Sequence, residues 1–144
     1  MTYPKLAALA VVLRTNELLL VRRKNEPDAG KWGFPGGHVD FGEGVGEAAC
    51  RELHEETTIC AEPAHTLTGL ETIVADAQGG TAFHYYLVAV RCDYIAGEPQ
   101  ARDDVYDARW ISHRDIFERS IPLSEDVDTV LGLALRDGNQ ERSR

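Results

Sequence analysis

The sequence predicts an α/β fold, a mixed β-sheet with helices packed against it. Three observations predict it. Strand-like segments outnumber helical ones, hairpins are mixed with helices along the chain, and 144 residues is the size of one compact domain. A chain of this length buries roughly two-thirds of its unfolded surface and needs no covalent staples. Residues 1–137 are expected to form the domain and 138–144 a flexible tail.

The elements follow in order. Leu6 to Leu13 and Glu17 to Arg23 are rich in Val, Leu and Ala and read as two strands of a hairpin closed by Arg14-Thr15-Asn16. The N-terminal apolar run has no basic segment before it and no small-residue cleavage site after it, so it reads as a strand and not as a signal peptide. KNEPDAGKWG is a loop by its Pro, Gly, Asn and Asp content. FPGGHVDFGEG is too glycine-dense for a helix and reads as a short strand and a structured loop. Val45 to Thr57 reads as a helix, with Glu47 in its first turn and Ala49, Cys50 and Leu53 towards a core. Leu67 to Val74, Ala82 to Cys92 and Ala108 to Ile111 are strands, separated by the turn DAQGGT and the polar loop IAGEPQARDDVYD. Ser112 is placed to cap a short helix SHRDIFE. Ser124 is placed to cap a last helix with Val127, Val130, Leu131 and Leu135 on its apolar side.

Composition narrows the function. The three cysteines, Cys50, Cys60 and Cys92, are odd in number and form no C-x-x-C pair, which fits buried thiols in a reducing cytoplasm. The net charge of -9 argues against a nucleic acid polymer or an anionic membrane as partner, because both are held through basic patches. No segment approaches the ~20 apolar residues of a membrane span. A small anionic substrate remains compatible if cations stand between it and the protein.

The stretch RELHEET concentrates that acidity. At about 100° per residue, Glu52, Glu55 and Glu56 share one arc of the helix. Neighbours at i, i+3 and i, i+4 repel by roughly 0.2–0.5 kcal/mol per like-charged pair, and more when partly buried. No Lys or Arg follows four residues on from any of the three, and Arg51 is better suited to one partner than to three. Either the face is simply solvated, or a hard divalent cation such as Mg²⁺ offsets it and attracts an anionic substrate.

Residues 37–59, GHVDFGEGVGEAACRELHEETTI, resemble the Nudix box, G-x5-E-x7-R-E-U-x-E-E-x-G-U, where U is a bulky aliphatic. The matches are Gly37, Glu43, Arg51, Glu52, Leu53, Glu55, Glu56 and Ile59, and Thr58 stands where the family has glycine. GKWGFPGG before the box and ARW at 108–110 are also similar to Nudix domains. The resemblance implies an α/β/α sandwich and hydrolysis, dependent on Mg²⁺ or Mn²⁺, of a nucleoside diphosphate linked to another group. It implies Glu52, Glu55 and Glu56 as metal ligands, an Arg51–Glu43 ion pair that orients the ligand helix, and Gly37 at a close backbone approach. Glu52, Glu56 or a carboxylate of the later loop, Asp103 or Asp104, is the expected base. Thr58 should either end the helix differently or lower stability, because a β-branched residue is strained in the left-handed exit that glycine favours.

Arg22, Arg23 and Lys24 are candidates for a phosphate clamp, and His38 for a substrate contact. Trp32, Phe34, Tyr85 and Tyr86 are candidates for stacking on a base, or for core positions. The five histidines have no zinc spacing. The flanking sequence is similar to ADP-ribose pyrophosphatases, so ADP-ribose or a similar nucleotide sugar is the expected substrate. A (d)NTP pyrophosphohydrolase that cleanses the nucleotide pool and a catalytically silent nucleotide sensor are the alternatives. The sequence does not set the oligomeric state; many Nudix enzymes are homodimers.

Overall fold

The computed structural model describes the backbone of residues 3–142 and the side chains of residues 3–137. Its strands are β1 (Lys5–Arg14), β2 (Glu17–Arg23), β3 (Trp32–Gly33) and β4 (Gly36–His38), followed by helix α1 (Val45–Thr57). Strands β5 (Cys60–Ala75), β6 (Thr81–Ala96) and β7 (Val105–Ser112) come next, then helices α2 (His113–Phe117) and α3 (Val127–Arg142).

The sheet runs β3-β2-β1-β6-β5, with β4 added to β1 and β7 to β2. It is mixed: β1 and β6 are parallel from Lys5↔Tyr85 to Val12↔Cys92, and the other pairings are antiparallel. β1 reads as an unbroken apolar run because both of its faces are covered. Ala8, Ala10 and Val12 pack with Leu19 against Ala48, Ala49 and Leu53 of α1. Val11 packs with Leu18, Leu20 and Phe34 against Ile116 of α2 and Val127, Val130 and Leu131 of α3. Two helical layers on two faces make an α/β/α sandwich.

Several boundaries differ from the expectation. β5 and β6 are each 16 residues long, because the polar and Pro-containing stretch CAEPAHT is held in a bulged ladder by β6. Ser112 does cap α2, accepting from the Asp115 N–H. Ser124 does not cap α3, which begins three residues later; its N–H donates to the Trp32 carbonyl and its hydroxyl has no partner. α3 runs on through 142, into the segment 138–144 expected as a tail; the side chains there, and residues 143–144 altogether, lie outside the described residues.

Candidate active site

Local backbone chemistry sets the helix that carries the acidic arc. α1 starts at Gly44 and buries Ala48, Ala49, Leu53, Glu56 and Thr57. Its exit is left-handed at Thr58, with φ 66° and ψ -1°, and the Thr58 N–H donates to the His54 carbonyl. The helix therefore ends in the conformation glycine favours. The Thr58 hydroxyl donates to the Glu98 carbonyl at 3.0 Å, an anchor that glycine lacks.

Arg51 serves more partners than its sequence position suggested. Its Nε and Nη2 donate to the two oxygens of Glu43 at 2.8 and 3.0 Å. Nη1 reaches Glu52 at 2.9 Å and Glu55 at 3.3 Å, and Nη2 also donates to the His38 carbonyl at 3.0 Å. A planar guanidinium with five donors can join the loop before α1 to two carboxylates on it. Hydrogen bonds from Arg51 and from the Asp40 N–H bring the Glu43 carboxyl down to about 2.

Glu56 stands apart from that hub. It is 9% exposed, and the Gly36 N–H donates to its Oε1 at 2.8 Å. Among the described residues, no Lys or Arg lies within ion-pair distance of it. Burial pushes its carboxyl up to about 8; the charges of Glu52 and Asp103 add to the rise, while the Gly36 bond and the charge of Arg23 oppose it. Glu52 is held under Gly37, where a Cβ would fall 2.5 Å from the Glu52 carboxyl carbon. A side chain at this position would displace the Glu52 carboxylate. Gly36 is just as tight, since a Cβ there would sit 2.2 Å from the Ala8 carbonyl oxygen.

A cavity of about 450 Å³ opens beside these glycines. Gly36 and Gly37 line it and also touch the carboxylates, so the two sites meet there, although Glu52, Glu55 and Glu56 do not line the cavity themselves. Of the residues singled out from sequence, Arg23, Phe34, Gly37, His38 and Tyr85 line it. Tyr85 stacks on His38 with ring centroids 5.8 Å apart. Phe34 does so as a core residue, 6% exposed.

Other candidates lie elsewhere. Arg22 alternates away from Arg23 along β2; its Nε donates to the Gly30 carbonyl and its guanidinium sits 5.9 Å from the Tyr106 ring centroid. Trp32 packs against the α3-side core, and Tyr86 is turned towards Gly69 on the opposite face from Tyr85. Both loop aspartates are exposed; Asp103 acts on Glu56 through its charge, and the Asp104 backbone carbonyl accepts from the Lys24 N–H. The sequence reading missed Gly36 as a donor. The adjacent Gly-Gly pair was the available signal, since close approach of backbone to a carboxylate leaves no room for Cβ.

Among the described residues, no three His, Cys, Asp or Glu side chains are gathered as a metal-binding group in this arrangement. Glu52 and Glu55 are drawn towards Arg51 instead. The donor chemistry still fits a hard divalent cation: Glu56 is a buried carboxylate in the field of Glu52, with no cation in contact.

The NUDIX domain family matches residues 3–130. The chain is 33% identical over 108 residues to a protein from Methanocaldococcus jannaschii named ADP-ribose pyrophosphatase, a match that covers 75% of this chain and 62% of that protein. It is 33% identical over 117 residues to Phosphatase NudJ of Escherichia coli, covering 81% of this chain and 74% of that protein. The NUDIX domain of Shewanella oneidensis NrtR, solved with ADP ribose, superposes with a TM-score of 0.72 at 25% identity, covering 95% of this chain and 90% of that one. A match along most of the chain, the sandwich fold and the Arg51-centred carboxylate hub lead to one assignment: the chain belongs to the Nudix family.

Proposed function

We propose that the protein hydrolyses the diphosphate linkage of a nucleotide sugar, ADP-ribose or a close analogue, to a nucleoside monophosphate and a sugar phosphate. The observation that carries the reading is the junction at Gly36 and Gly37, where the buried Glu56 and the half-buried Glu52 adjoin a cavity of about 450 Å³. The names of the archaeal relative and of the ADP-ribose complex support the choice of substrate.

Glu52 and Glu56, with Glu55 at the rim, would hold Mg²⁺ or Mn²⁺, which when bound neutralises phosphate charge and makes a coordinated water more acidic. The chain's own residues do the rest. Arg23, on the cavity wall, binds phosphate oxygens. Gly36 and Gly37 present bare backbone, so a diphosphate approaches the carboxylates closely. His38 and Tyr85, whose rings stack on each other at the cavity, offer aromatic surface to a base or sugar. Water attacks phosphorus as the bridging P–O bond breaks, and its proton passes to a carboxylate of the cluster. Glu56 Oε2, the oxygen not engaged by Gly36, is suited to accept it when the carboxyl is ionised. Arg51 holds Glu52 and Glu55 in the present arrangement, and both would turn partly away from it to meet a cation.

The test is product identification after incubation with Mg²⁺ and a panel of ADP-ribose, NADH, diadenosine polyphosphates, nucleotide sugars and (d)NTPs. AMP with ribose phosphate supports the proposal. Pyrophosphate with a nucleoside monophosphate replaces it with the nucleotide-pool reading, and no turnover of any substrate replaces it with a silent sensor.

A further inference from the structure

Ser124 is an anomaly in the cavity wall. Its hydroxyl oxygen is sealed from solvent and has no hydrogen-bond partner. An unsatisfied buried hydroxyl costs about 1–3 kcal/mol, so an alanine would suit the free protein better. The residue's position is fixed by its neighbours. The Ser124 N–H donates to the Trp32 carbonyl, the Trp32 N–H donates to the Pro122 carbonyl, and Leu123 bridges Trp32 in parallel. The hydroxyl lies against Gly33, where a Cβ would come within 3.0 Å of it. It has no bond to lose; as it stands it lies against Gly33, and a turn about χ1 would be needed to bring it to the cavity that its residue lines.

The charge beside it sets what it can meet. Glu125 and Asp126 follow and line the same cavity, as does Arg23. Carboxylates repel a further phosphate and accept hydrogen bonds from hydroxyls. We infer that Ser124, with Asp126, forms a subsite for the hydroxyls of a sugar on the substrate, and that this subsite favours a diphosphate-linked sugar over a nucleoside triphosphate. The inference rests on the proposed nucleotide-sugar hydrolysis and adds to it the residues that select the sugar.

Steady-state kinetics of the Mg²⁺-loaded enzyme with ADP-ribose and with ATP test it. Ser124→Ala should raise KM for ADP-ribose about fivefold, with kcat within about twofold and the Tm of the free protein equal or higher. Asp126→Asn keeps a side chain that tolerates the observed φ of 73°. It should lower the preference for ADP-ribose over ATP, as a ratio of kcat/KM, by about threefold or more. An unchanged KM in Ser124→Ala, or a lowered Tm with kcat falling alongside, overturns the role of Ser124. An unchanged ratio in Asp126→Asn overturns the selection by charge. If the unsubstituted enzyme does not turn over ADP-ribose, the ADP-ribose reading fails and this one falls with it; if it hydrolyses ADP-ribose and Ser124→Ala matches it, only the subsite fails.

Discussion

The Gly36 N–H donates to Glu56 Oε1 at 2.8 Å, tying the strand that borders the cavity to the most buried carboxylate of α1. One backbone donor does not compensate for the loss of water around that carboxylate, so its carboxyl rises to about 8. The sign follows. A folded-state value above the ordinary 4.5 gives a contribution to stability that is complete below about 4.5 and is lost as pH rises through about 8. Metal-free protein should therefore lose stability from pH 6 to pH 9, on the order of a few kcal/mol, and Glu56→Gln should flatten that slope while abolishing turnover. Thermal melts in chelator across this range check the first point. Near-normal turnover by the mutant would contradict the second.

Glu43 titrates the other way. Its carboxyl lies at about 2, so what it contributes is present above about 4.5 and lost as pH falls through about 2. Glu43→Gln removes the charge that holds two of Arg51's donors. Its Tm should fall at pH 7 and approach that of the unsubstituted protein below pH 3. A Tm deficit that stays constant down to pH 2 would count against the Arg51 pairing as its source.

Gly37→Ala tests the packing under the glycine loop. A Cβ would fall 2.5 Å from the Glu52 carboxyl carbon, so the carboxylate must move. Turnover should fall by roughly two orders of magnitude, as expected when a catalytic group is displaced by about 1 Å. Retention of full kcat would show that the position of Glu52 does not matter.

The two neighbouring arginines should separate in kinetics. Arg23 lines the cavity and Arg22 does not. Arg23→Ala should raise KM about tenfold or more through loss of a charge-assisted phosphate contact, and Arg22→Ala should leave kcat/KM within about twofold. Equal effects would refute the division.

Thr58 gives a stability test in which strain and a hydrogen bond oppose each other. Glycine would relieve about 1 kcal/mol of left-handed strain and forfeit the hydroxyl bond to Glu98, a net contribution of similar size. Thr58→Gly should thus leave stability within about 1 kcal/mol of the parent, whereas Thr58→Val, which keeps the strain and loses the bond, should be less stable by about 1 kcal/mol. Denaturant titrations of both variants decide it, and a Val variant as stable as the parent would show that the bond contributes nothing.

Much of this was legible in residue order. The β1–β2 hairpin, α1 and the cap at Ser112 follow from periodicity and local hydrogen bonding, and the acidic arc follows from helical geometry. What local rules missed depends on contacts between distant parts of the chain. Arg51 holds Glu43, Glu52 and Glu55 together because a loop folds back over the helix, which spacing alone does not reveal. Arg22 and Arg23 are chemically alike and are distinguished only by which face of β2 meets the cavity. Ser124 reads as a helix cap because serine before an apolar run so often is one, yet the segment around it is bonded to β3 instead.

The parallel pairing of β1 with β6 has a kinetic consequence. Lys5 pairs with Tyr85 and Val12 with Cys92, so the centre of the sheet closes only after the intervening chain, with β4 and the whole of α1, has been gathered in. The entropy of closing so long a loop is met before the contacts that reward it form. The carboxylate helix rests on β1, β4 and β6 together. Assembly of the catalytic groups should then coincide with the rate-limiting step of folding, and activity should recover during refolding in phase with the burial of Trp110, which packs against that same layer.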